Sequence, residues 1–126
     1  MIAAILSISV GASLGAICRW LVSLWLNPWF SLFPLGTLLV NCVGGFLIGL
    51  AFTWFALHDG ASENIKLLIM TGFLGGLTTF SAFSIEVVNM LQIAHYGRAL
   101  FTIALHLTGS IICTILGIAV MRAAQS

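Results

Sequence analysis

Apolar residues run almost unbroken through four stretches of the chain, roughly Ile2–Leu26, Leu35–Leu57, Ile65–Gln92 and Arg98–Met121. A helix needs about 20 residues to cross the hydrocarbon core of a membrane, and each stretch exceeds that. The polar punctuation between them is short: NPWFSLFP, HDGASEN and AHYG. The pattern predicts a single transmembrane domain over residues 1–126, built from four helices with no soluble part. The first stretch is too long for a signal-peptide core and has no basic residue ahead of it, so it reads as a spanning helix.

The third stretch departs from plain membrane helix. Its segment T71-GFLGGLTTFSAFSIE-86 collects glycines, hydroxyls, two phenylalanines and a glutamate in the middle of an apolar run. Gly72, Gly75 and Gly76 tolerate non-helical backbone, and Thr78 and Thr79 compete for backbone hydrogen bonds. One reading is a helix broken near the midplane, whose freed carbonyls could hold a cation, because broken backbone at that depth must be buried in protein or line a polar cavity. The other is close packing, since Gly72 and Gly76 form a small-xxx-small pair. Gly11/Gly15 and Gly45/Gly49 have the same spacing and read as packing alone.

Phe80 and Phe83 are neighbours on a helix surface. They are either core or lipid contacts, or rings whose electropositive edges line a path for a small anion, with the Ser81 and Ser84 hydroxyls close by. In the fourth stretch Thr102, His106, Ser110 and Thr114 recur every four residues and share one face. Such hydroxyls either bond their own backbone or offer a row of donors to an ion. His106 has no ligand partner at metal-binding spacing.

Composition then fixes the class. Charged residues make up 6% of the 126 residues and apolar ones 61%, with a mean hydropathy of +1.21, which is an integral membrane protein and not a soluble domain. The net charge of +1 carries no basic stripe, so nucleic acid is not an expected partner. Cys18, Cys42 and Cys113 have no metal or disulfide spacing. No nucleophile–base–acid set, phosphate loop or metal cluster is present, so no catalytic residue is expected and the chain does not read as an enzyme.

The few charges are informative by position. With four spans, Lys66 and Arg122 fall on one side of the membrane and Arg19 and Arg98 on the other, so the usual cytoplasmic excess of basic residues is missing. Either orientation is set by something else, or the chain inserts both ways and pairs antiparallel. Arg19, Asn41 and Glu86 each lie about six or seven residues from the same surface, some 9–11 Å deep at ~1.5 Å per residue. Intramembrane ionisable groups usually mark a functional site, and the trio would line a wet vestibule. The plainer alternatives are that Arg19 snorkels to the interface beside Trp20 and that Glu86 is a structural partner for Arg19 or marks a helix end. Asn41 must find a hydrogen-bond partner, on another helix or on a permeating species.

Three motifs carry a resemblance: Gly15-AIC-Arg19-Trp20, Gly36-TLLV-Asn41-CV-Gly44 and Gly72-FLGGLTTFSAFSI-Glu86. Together they resemble the small bacterial fluoride channels, the Fluc or CrcB family, over the whole chain. The resemblance implies an all-α fold with a broken third helix, assembled as an antiparallel, dual-topology homodimer in the inner membrane, with two separate pores that export fluoride passively. It implies that Asn41, Phe80 and Phe83 line the pore, with His106, Ser110 and Thr114 as a facing polar track. It also implies a structural Na+ at the dimer centre, held by the backbone carbonyls of Gly75 and Thr78. Where this chain has Ala82 the family often has threonine, so no hydroxyl role carries over there.

Two other classes of small membrane protein fit the residues less well. A small dual-topology proton-coupled multidrug exporter needs an acidic residue near the middle of the first helix, and this chain has none there. A non-transporting membrane subunit would give no reason for three coincident motifs.

Overall fold

A computed structural model describes residues 1–29 and 34–126 of the chain. The described residues hold helices and turns and no strand. α1 (Ile2–Leu26) ends in a 3-10 turn, Asn27–Trp29, and α2 follows as Leu35–Leu57. The short α3 (Glu63–Lys66) continues into a π-helical stretch, Leu67–Leu74, and then α4 (Gly75–Leu77). α5 (Ser81–Gln92) and α6 (Tyr96–Gln125) complete the chain. Among the described residues, four units are long and apolar enough to cross a membrane: Ile2–Trp29, Leu35–Leu57, Glu63–Gln92 and Tyr96–Gln125. The protein is a multi-pass membrane protein.

The first two expected helices have the expected bounds. The last helix extends beyond Arg98–Met121 at both ends, to Tyr96 and Gln125, because helical backbone continues after the apolar run has ended. The middle of the NPWFSLFP connection lies outside the described residues. Its flanks are tied together, since the Gly36 N–H donates to Asn27 Oδ1 at 2.7 Å.

The helices pair as α1 with the π-helical stretch and α4, and as α2 with α6. Close backbone approach makes both pairings. A Cβ on Gly76 would lie 2.6 Å from the Ala12 carbonyl, and one on Gly72 would lie 2.9 Å from that of Ile8. Gly11 and Gly15 return the contact from α1. On the other pair, a Cβ on Gly45 would stand 2.7 Å from the Ser110 carbonyl, and Gly117 of α6 meets the backbone of Phe46. Between lipid-solvated helices there is little hydrophobic drive, so dispersion between closely approaching backbones carries the association. Gly72 and Gly76 are therefore contact residues.

Two apolar clusters sit inside the bundle. Val40, Leu74 and Leu77 pack with Leu47, Ile48 and Phe73, and Phe83, Val87, Met90 and Ala99 form the second with Ile103. The outer surface is apolar as well, with Ile5, Val10, Leu14, Ile17 and Leu21 of α1 all exposed, as a hydrocarbon solvent requires.

Helical geometry stops at Leu77. Thr78 is extended (φ −85°, ψ 157°), and helix resumes at Ser81. The α5–α6 turn closes with the Ala94 N–H on Leu91 O (3.1 Å) and the His95 N–H on Met90 O (2.8 Å). That is the Schellman pattern, with Ala94 in the left-handed region at φ 60° where glycine is usual.

Candidate functional site

The interruption between Leu77 and Ser81 sends its hydrogen bonds to unusual places. The Thr78 N–H and Oγ1 both donate to Leu74 O, at 3.1 and 3.0 Å. The Thr79 N–H donates to Asn41 Oδ1 at 2.8 Å, and Asn41 Nδ2 donates back to Thr79 O at 2.9 Å. The Ala82 N–H donates to Thr79 Oγ1 at 3.1 Å, so the Thr79 hydroxyl takes up one of the free N–H groups in the first turn of α5. From α1, Arg19 Nε donates to Gly76 O at 3.0 Å.

Several carbonyls lose by this arrangement, those of Gly75, Leu77 and Thr78 without a replacement donor. In an unbroken helix Gly75 O would receive the Thr79 N–H and Thr78 O the Ala82 N–H. Both donors are directed elsewhere. Unpartnered carbonyl oxygens at membrane depth are costly, and hard oxygen donors suit a small cation. The Gly75 and Thr78 oxygens are among those left free, and they are of the donor type that a small cation takes.

Beside the interruption lies a cavity of about 350 Å³ whose walls include Asn41, Phe80, Phe83, His106 and Ser110, together with Gly75 and Thr78. Three elements position them: α2 carries Asn41, α5 and its cap carry the phenylalanines, and α6 carries His106 and Ser110. The Phe80 and Phe83 rings meet edge-on, 5.4 Å apart at 64°. Phe83 is 6% exposed and Phe80 72%. The two are adjacent but not equivalent, because Phe80 stands at the N-cap of α5 and Phe83 lies within the helix. Phe83 also packs on the His106 ring at 4.5 Å, and Asn41 Nδ2 lies 3.1 Å from His106 Nδ1.

Other residues singled out in the sequence, Ser110 apart, stand off from these walls. Ser81 is exposed, with its Oγ 3.3 Å from that of Thr79, and Ser84 is half-buried. Thr114 Oγ1 donates to Ser110 O at 2.9 Å, and Ser110 Oγ to His106 O at 2.5 Å. These two hydroxyls thus bond their own helix. Thr102 is fully buried against the Met90 sulfur. Glu86 accepts from Thr37 Oγ1 at 2.6 Å. Arg19 is held by Gly76, so the two intramembrane charges do not pair with each other.

Sequence reasoning missed two participants. Thr37 precedes Asn41 by one helical turn and shares its face, which could have suggested a second polar group there. Thr79 reads as a competitor for backbone bonds, but nothing local marks it as the partner of Asn41, 38 residues away.

Residues 6–118 match the family described as CrcB-like protein, Camphor Resistance (CrcB). The chain belongs to the CrcB-like family. A relative from Acinetobacter baylyi named "Fluoride-specific ion channel FluC" is 53% identical over 118 residues, covering 94% of this chain and 93% of its own length. A protein of the same name from Acinetobacter baumannii is 53% identical over 115 residues, or 91% of this chain and 90% of the relative. A third, from Erwinia tasmaniensis, is 49% identical over 117 residues, covering 93% and 94%. In this CrcB-like chain the three sequence motifs lie on elements that meet at the interruption. Arg19 reaches it from α1 and Asn41 from α2, while the third motif forms the interruption itself.

Proposed function

We propose that this chain is a fluoride-selective channel of the bacterial inner membrane, exporting fluoride passively as an antiparallel, dual-topology homodimer with two pores. It is a conduit and not an enzyme. The observation that carries the reading is one cavity bringing Asn41, Phe80, Phe83, His106 and Ser110 together beside a helix interruption. The relatives named for fluoride channels support the same ion.

Fluoride is small and strongly hydrated, so a path through the membrane must replace lost water contacts with donors. Edge-on phenyl rings supply weak electropositive contacts, and conduction needs sites weak enough to leave. Phe80 stands at the outer surface of the single chain, where a second copy would complete the path. Arg19 and Glu86 belong to the vestibule in this reading, with Ser81, Ser84 and Thr114 flanking the path. Na+ at the dimer centre would be held by the Gly75 and Thr78 carbonyls of each chain, neutralising those oxygens and tying the two interruptions together. Hydrogen fluoride enters cells by diffusion and ionises inside, and an inside-negative potential then drives the anion out.

The test is ion efflux from liposomes containing the purified protein, followed with a fluoride electrode beside chloride-loaded controls. Rapid fluoride release with little chloride release is expected. Release of neither ion from folded, assembled protein would reject the channel reading in favour of a non-transporting subunit.

A further inference from the structure

We propose that Cys42 and Cys113 form a two-thiol site for a soft divalent metal ion, the mercuric ion, which bridges α2 to α6 at membrane depth.

The two cysteines are far apart in the sequence, and their spacing matches no metal motif. Packing brings them together. Gly45 and Gly49 of α2 press on the α6 backbone around Ser110 and Thr114, so the turns that carry Cys42 and Cys113 lie face to face. A Cβ on Gly109 would stand 3.1 Å from Cys42 Sγ, which sets that sulfur against α6 one turn before Cys113. Residues four apart share a helix face, and the Cys42 and Cys113 side chains interact directly. Both are free and half-buried, whereas Cys18 is free and exposed. Neither stands on the walls of the cavity that holds Asn41 and His106, so the proposed fluoride path does not use them.

The number and type of donors select the ion. Sulfur ligands are soft and favour soft ions. Among the described residues no group of three or more His, Cys, Asp or Glu could hold a metal ion, so a four-coordinate ion such as Zn2+ lacks its ligands. A mercuric ion is satisfied by two sulfurs. Charge separates it from the soft monovalent ions. Cys42 follows Asn41, which lies about 9–11 Å below the membrane surface by helical rise, and a net charge at that depth is costly. Two thiolates around Ag+ or Cu+ carry one negative charge, but around Hg2+ they are neutral. Mercuric chloride is itself a neutral complex and can enter the apolar phase. As it binds, both S–H bonds break and two Hg–S bonds form. Two protons and two chloride ions leave, and no oxidation state changes.

The test uses mercuric chloride as the probe and the purified full-length chain in detergent. X-ray absorption at mercury counts the sulfur ligands. At half an equivalent per chain the unmodified protein should show two, because the paired thiols fill before the single Cys18. That measurement needs no variant, and a single sulfur with a retained chloride at that loading overturns the proposal. Cys18→Ala should keep the two-sulfur site, saturating at one ion per chain with two protons released. On that background Cys42→Ala or Cys113→Ala should show one sulfur per ion and bind about a hundredfold more weakly, the advantage of a second tethered ligand being lost. Two sulfurs per ion in either of these single-thiol chains would mean that the ion bridges separate chains, and would reject the assignment. None of these readouts requires fluoride transport, so the site stands or falls separately from the channel reading.

Discussion

Arg19 Nε donates to the Gly76 carbonyl at 3.0 Å, joining the charged end of α1 to the last helical turn before the interruption. An intramembrane guanidinium thus serves first as an anchor for backbone. A hydrogen bond from a charged group contributes about 1.5–3 kcal/mol, and Arg19→Ala should destabilise the folded protein by that order in a denaturation series. Arg19→Gln keeps an N–H for Gly76 and drops the charge. It should hold stability to within about 1 kcal/mol while slowing fluoride efflux, because the vestibule no longer attracts anions. Equal efflux in Arg19→Gln and wild type would reduce Arg19 to the anchoring role alone.

Phe80→Ile tests the ring edge. The substitution retains apolar bulk at a position that is 72% exposed in the single chain, so the fold should survive. An aromatic pair contributes about 0.5–1.5 kcal/mol beyond its buried area, and a contact of that size in the path corresponds to a loss of about two- to thirteenfold in efflux. Size-exclusion chromatography would establish that the protein remains assembled. Wild-type efflux would remove Phe80 from the path.

Gly76 and Gly97 offer a matched comparison. A methyl on Gly76 would press to 2.6 Å of the Ala12 carbonyl, whereas at Gly97 nothing lies within 4 Å. Gly76→Ala should force α1 and α4 apart, costing about 1–3 kcal/mol and disturbing the carbonyl that Arg19 holds. Gly97→Ala lies in α6 and should stabilise by up to about 1 kcal/mol through helix propensity. Thermal denaturation in detergent reads both, and a Gly76→Ala variant as stable as wild type would contradict the α1 packing.

The turn after α5 should accept glycine. Ala94 sits at φ 60° in the position where a Schellman motif favours glycine. Relieving left-handed strain outweighs the extra entropy of the unfolded glycine chain, so Ala94→Gly should raise stability by about 0.5–1 kcal/mol. A lower denaturation midpoint in that variant would show that the turn is held by something other than its backbone pattern.

Span count and the bounds of the first two helices were legible in the residues alone, because hydrocarbon thickness imposes a minimum apolar run and the chain has exactly four such runs. Glycine spacing was legible as a contact surface on Gly11/Gly15 and Gly45/Gly49. For Gly72 and Gly76 the sequence left packing and interruption open together, since both need a residue without a side chain. The polar residues of the third and fourth runs could be placed on faces by their spacing, and no further.

Tertiary structure decided the partners. Thr79 belongs to Asn41 across 38 residues, Thr37 to Glu86 across 49, and Arg19 to Gly76 across 57. Ser110 and Thr114 turned to their own backbone, and Phe80 faced outward while Phe83 faced in. The physical reason is common to all of them. Apolar length and helical periodicity are properties of one segment in its solvent, and the residues carry them locally. A hydrogen bond in a low-dielectric interior goes to whichever donor or acceptor the packing of two distant segments brings within 3 Å, and only the folded chain selects that group.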